Sequence, residues 1–160
     1  MMKRPNWRRR TLLAALPALF TGTARAHAFD AGGIVIDHPY AVPTVDGARE
    51  GLLCFRGLKN TGREADRLLG ARTTAARTVE IRRTSRIDGV TRAQTLPALE
   101  LPAGIELKLR HDGDAQLILL DLAAPLKEGD RFPVILRFER AGEQTVTVWV
   151  QQPRAGRSVR

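Results

Sequence analysis

The feature that most restricts the fold is a strict alternation near the C-terminal end. Val134, Leu136 and Phe138 alternate with polar or mixed residues, and so do Val146, Val148 and Val150. Ala141-Gly142 lies between the two runs. Period-two alternation puts every second side chain on one face, so each run reads as a half-buried strand. Two such runs around a glycine-containing turn read as an antiparallel hairpin whose apolar faces must be covered by something else.

The rest of the body supplies that cover in short pieces. Ile34-Val35-Ile36 reads as a strand stopped by His38-Pro39, and Leu52 to Leu58 as a second, ended by Asn60-Thr61-Gly62. Thr78 to Arg83 and Val90 to Ala93 flank Asp88-Gly89, a hairpin-turn dipeptide. Leu99 to Leu101 and Ile105 to Leu109 flank Pro102-Ala103-Gly104, and Gln116 to Leu120 follows Asp112-Gly113-Asp114. No long helical period occurs in this body. Short strands at this spacing predict one all-β domain, a Greek-key sandwich or barrel. Its length suits a single domain.

The formal charge of +9 suggests a nucleic-acid partner until it is located. Lys3, Arg4, Arg8, Arg9, Arg10 and Arg25 all lie in residues 1–26, which contain no acid. The remainder carries 20 basic against 17 acidic residues, and Arg154, Arg157 and Arg160 fall in a short tail. A phosphate-binding stripe is not expected, and neither is nucleic-acid binding. Residues 1–26 instead run from a basic stretch through an apolar run, Thr11 to Phe20, to Ala24-Arg25-Ala26. That order predicts a cleaved secretory signal. Arg9-Arg10-Thr11-Leu12-Leu13 fits the twin-arginine type, and Sec export stays open. The apolar run, broken by Pro17, is shorter than the roughly 20 residues of a membrane span, so no transmembrane segment is expected. Cleavage after Ala26 would start the mature chain at His27; cleavage after Ala28 would start it at Phe29. The expected division is signal 1–26, domain 27–150 and basic tail 151–160, with the protein in the periplasm.

Little in the body carries chemistry. No G-x-S-x-G, H-E-x-x-H or C-x-x-C is present, and an enzyme is not expected. His27, His38 and His111 are far apart and form no ligand pair at metal spacing. His111 lies in a turn, Arg110-His111-Asp112-Gly113, and is expected in solvent. His38 is expected to be a hydrogen-bonding residue at a strand end, and Asp66 to lie in a turn. Cys54, the one cysteine, sits in Leu52-Leu53-Cys54-Phe55. It reads as a small buried hydrophobe, or as a reactive thiol or soft metal ligand.

Several segments, taken in order, resemble the PCu(A)C family of periplasmic copper chaperones. His38-Pro39-Tyr40-Ala41 is similar to the family's H-P-W-A, and Leu58-Lys59-Asn60-Thr61-Gly62 to its L-x-N-T-G, followed by Asp66-Arg67-Leu68-Leu69-Gly70. Val79-Glu80-Ile81 with Asp88-Gly89-Val90 resembles its V-E-L…D-G-V hairpin. Leu101-Pro102-Ala103-Gly104, Pro125-Leu126-Lys127-Glu128-Gly129-Asp130 and Phe138-Glu139-Arg140-Ala141-Gly142 continue the likeness to about residue 150.

The resemblance implies a cupredoxin-like Greek-key β-sandwich. It also implies copper delivery to the CuA domain of cytochrome oxidase, alongside other periplasmic copper-delivery proteins. The family's copper motif, H-x10-M-x21-H-x-M, matches Arg82, Ala93, Gln116 and Ile118 here, allowing one inserted residue. None of these is a soft donor. The only methionines are Met1 and Met2, inside the expected signal. The expectation is therefore a domain without cofactor, acting as a binding or scaffold protein in oxidase assembly. The alternative is a copper carrier with a different site, built around an N-terminal His27 with His38 or Cys54.

Overall fold

The computed structural model describes residues 28–31, 33–88 and 90–153. The expected signal, His27 and the tail from residue 154 lie outside the described residues. Eleven strands are present among the described residues: β1 (Ala28–Ala31), β2 (Ile34–Ala41), β3 (Glu50–Asn60), β4 (Asp66–Thr73), β5 (Ala76–Ile87), β6 (Val90–Leu96), β7 (Leu99–Leu101), β8 (Glu106–Leu109), β9 (Ala115–Leu122), β10 (Arg131–Phe138) and β11 (Glu143–Val150). They follow one hydrogen-bonded path, β6-β5-β9-β3-β2-β11-β10-β4-β7, with β1 on β2 and β8 on β3. The path folds over itself into the cupredoxin-like sandwich. Its inward faces meet in one core that includes Phe55, Leu68, Leu101, Leu117 and Leu136.

The alternating hairpin forms as the sequence predicts. Val134 pairs with Val146. Val134, Leu136, Phe138, Val146, Val148 and Val150 are all at most 2% exposed. Gly142 takes φ +75°, a left-handed conformation a β-carbon would strain, and its carbonyl accepts from the Phe138 N–H at 2.8 Å.

Two strands branch, and the branches position the site. The N-terminal part of β3 pairs with β9 (Glu50 to Leu53), and the C-terminal part pairs with β8 (Phe55 to Lys59). Along its edge away from β3, β2 pairs first with β1 (Ile34 to Asp37) and then, in parallel, with β11 (Tyr40 and Ala41). Cys54 therefore lies at the fork of β3, and His38-Pro39 at the gap in β2. The dipeptide expected to stop the first strand does not. Proline is tolerated there because one edge of the strand has no partner at that point, and His38 turns the chain with φ +46°.

Asp66 is also not a turn residue. It opens β4 and is 4% exposed. Its carboxylate accepts backbone N–H bonds from Arg67 (2.7 Å), Arg140 (2.9 Å) and Ala141 (3.0 Å), tying β4 to the β10–β11 turn.

Candidate metal-binding face

The residues matched to the copper motif fall together on one outward face. Arg82 of β5 is directly opposite Gln116 of β9, and Glu80 is opposite Ile118. Ala93 of β6 is opposite Thr84, two residues along from Arg82 on the same face. Arg82 donates from Nε to Glu80 Oε2 at 3.0 Å and from Nη1 to Glu50 Oε2 at 3.4 Å. Burial pulls its guanidinium down, but the bonds and charges of Glu80 and Glu50 outweigh this, so the net shift is upward. Arg82 is thus a fixed cation held between two carboxylates, with no lone pair to offer a metal. Ala93 and Ile118 are alkyl. Gln116 turns its amide away, donating from Nε2 to the His111 carbonyl at 2.9 Å. These four side chains do not fit a copper ion.

The same face carries other donors one strand further on. Leu53 pairs with Leu117, so the next step of the ladder brings Cys54 level with Gln116. Cys54 pairs on its other side with Tyr40 of β2. Cys54 is 1% and Tyr40 8% exposed, and neither belongs to the main core cluster. His111 is not the solvated turn residue the sequence predicts. It is half-buried, and its Nδ1 is shut off from solvent with no hydrogen-bond partner.

Burial pushes the Cys54 thiol up to about 12; Asp112 adds to the rise and the Tyr40 bond opposes it. Burial also raises the Tyr40 phenol to about 12, aided by Cys54 and opposed by His111 and Arg110. Both groups are neutral at physiological pH. Beside them a depression of about 370 Å3 is lined by Leu52, His111, Gln116, Ile118, Thr44 and Pro153. A larger one, about 660 Å3, is lined by Arg83, Leu99, Leu107, Lys108 and Leu109 among others and holds no imidazole or thiol.

His38 and Cys54, both expected as alternative ligands, flank the same tyrosine. The His38 and Tyr40 rings lie 6.0 Å apart. His38 Nε2 contacts Gln151 Nε2 at 2.7 Å, which makes the imidazole nitrogen the acceptor. His38 is thus the hydrogen-bonding residue the sequence predicts. Among the described residues, no three His, Cys, Asp or Glu side chains form a group able to hold a metal. Sequence reasoning missed the pairing of Tyr40 with Cys54 and the burial of His111 Nδ1; the usable signal for the first was the alternation of the first two strands, once their register is known.

The family described as "Putative lipoprotein LpqE-like" matches residues 34–150, most of the chain. This chain belongs to the LpqE-like family. A curated relative, "Putative lipoprotein Lxx21020" of Leifsonia xyli subsp. xyli, is 32% identical over 98 residues, 61% of this chain. The match spans 58% of that relative's length. The copper-bound PCuAC domain from PmoF2 superposes on the LpqE-like chain with TM-score 0.66 and 25% identity, covering 79% of this chain and 99% of that one. The copper(I) form of DR1885 from Deinococcus radiodurans matches with TM-score 0.61 and 23% identity, over 88% and 90% of the two chains, a likeness of fold. The resemblance read in the sequence is therefore correct as to family type and fold.

The expectation of a domain without cofactor is corrected by the PmoF2 structure, in which copper is bound on this fold. That expectation rested on four side chains, Arg82, Ala93, Gln116 and Ile118.

Proposed function

We propose that this LpqE-like domain is an exported copper carrier, not an enzyme, and that its copper donors are not the residues at the four motif positions. The observation that carries the reading is the likeness to a copper-bound PCuAC domain over nearly the whole of that domain. Export is supported by the basic–apolar–A-x-A order of residues 1–26, and by the lipoprotein names of the family and its relative. The periplasm is the compartment that order implies, and a cytochrome oxidase CuA domain is the recipient that the resemblance implies. Copper is cargo here, so moderate, reversible binding serves the function better than a closed structural site.

The test is a Cu(I) competition titration against a chromophoric chelator, using processed, tag-free protein under reducing conditions. One Cu(I) per chain is expected. No binding in excess of an inert β-sandwich control would overturn the reading.

A further inference from the structure

We propose that the outer edge of β6 pairs with the same edge of a second copy of this chain, joining two domains through one antiparallel ladder about a twofold axis at Ala93. Among the described residues β6 is hydrogen-bonded to β5 alone. The other strands with a single partner, β1, β7 and β8, are only three or four residues long. β6 has seven, Val90 to Leu96, and its pairing with β5 runs through all of them without a register shift. An open edge of that length is a template for another strand, and chains ordinarily blunt it with proline, a bulge or lysine. β6 has none of these, and Arg92 is its only charge. Every residue from Val90 to Thr95 is exposed, and Val90, an apolar side chain, is 55% in solvent.

The strand is complementary to itself in reverse. With the axis at Ala93, Val90 falls opposite Leu96 of the second copy, Thr91 opposite Thr95, Arg92 opposite Gln94 and Ala93 opposite Ala93. Threonine and apolar pairs set directly opposite each other stabilise a ladder. An axis at Arg92 instead would put the two arginines face to face, and like charges there destabilise it. An axis at Gln94 would bring Pro97, which has no N–H, opposite Thr91. The backbone agrees with the axis at Ala93. Ile87 and Val90 close a hairpin over two residues, so their N–H and C=O groups face each other. Alternation then turns the N–H and C=O of Arg92 and Gln94 toward β5, and those of Thr91, Ala93 and Thr95 toward the open edge. Pairing about Ala93 gives each of these outward groups a partner and gives Val90 an apolar neighbour. Ala93 shares a face with Arg82, so the pairing also sets the motif-matched faces of the two copies side by side.

The experiment is sedimentation equilibrium of the processed, tag-free, metal-free protein over a range of concentrations, with amide hydrogen exchange on the same samples. One added strand is a small interface, so a weak dimer with a Kd of about 10–100 μM is expected. As concentration rises, exchange at the Thr91, Ala93 and Thr95 amides should slow severalfold, while the Arg92 and Gln94 amides are protected throughout. This readout needs no variant. Ala93→Pro removes an outward N–H and leaves the ladder with β5 in place, so it should keep a cooperative melt and raise the Kd about tenfold or more. Ala93→Lys puts two cations at the axis and should weaken the dimer in the same way, with partial recovery in high salt. Wild type that stays monomeric at millimolar concentration would overturn the pairing. So would a dimer that neither variant weakens, or one that leaves exchange at Thr91, Ala93 and Thr95 unchanged, since its interface would lie elsewhere.

Discussion

Tyr40 lies directly opposite Cys54 across the β2–β3 pair, and burial holds both groups above their ordinary values. In the unfolded chain Cys54 ionises near 9.0 and Tyr40 near 10.0; in the fold both wait until about 12. Above pH 9 the unfolded state therefore holds fewer protons than the native one, and stability falls as pH rises toward 12. Below pH 9 neither group contributes a slope. Urea unfolding between pH 7 and 11 should show this decline, and Cys54→Ala with Tyr40→Phe should flatten it. An equal slope in the double variant would contradict the assignment.

Asp66 holds three backbone N–H groups and shields them from solvent. Asp66→Ala leaves these donors without their acceptor and should cost about 1.5–3 kcal/mol. Asp66→Asn keeps an acceptor oxygen and should cost less. Urea midpoints at constant denaturant slope distinguish the two.

Phe138 is 2% exposed and packs from β10 into the single core. Phe138→Ala should cost about 3–5 kcal/mol, read from the same unfolding curves. The neighbouring outward residue Arg137, exposed on that strand, should tolerate alanine within about 0.5 kcal/mol.

The opposition of Arg82 and Gln116 makes the matched motif positions testable. Arg82→His, Ala93→Met, Gln116→His and Ile118→Met together put two imidazoles and two thioethers on one face. This fourfold variant should bind Cu(I) more tightly than wild type, measured by chelator competition. No gain in a folded variant would show that these four positions do not converge on one ion.

The sequence exposed what alternation can expose. The β10–β11 hairpin was legible because its apolar residues recur every second position through to Val150. Strand β4 was not: in Asp-Arg-Leu-Leu-Gly-Ala-Arg-Thr only Asp66 and Leu68 turn fully inward, one of them charged, and Gly70 interrupts the pattern. Arg82 and Gln116 could be found by order along the chain. The pairing of Tyr40 with Cys54 could not, because it depends on the β2–β3 register. Arg110-His111-Asp112-Gly113 does form a turn, with the Gly113 N–H bonded to the Arg110 carbonyl at 3.1 Å. Its composition gives no sign that His111 Nδ1 is shut off from solvent.

The most direct measurement is the copper content of the processed, tag-free protein after Cu(I) loading under reducing conditions and removal of excess metal. Retention of about one Cu(I) per chain is the expected result. Retention no greater than that of an inert β-sandwich control would contradict the copper-carrier reading.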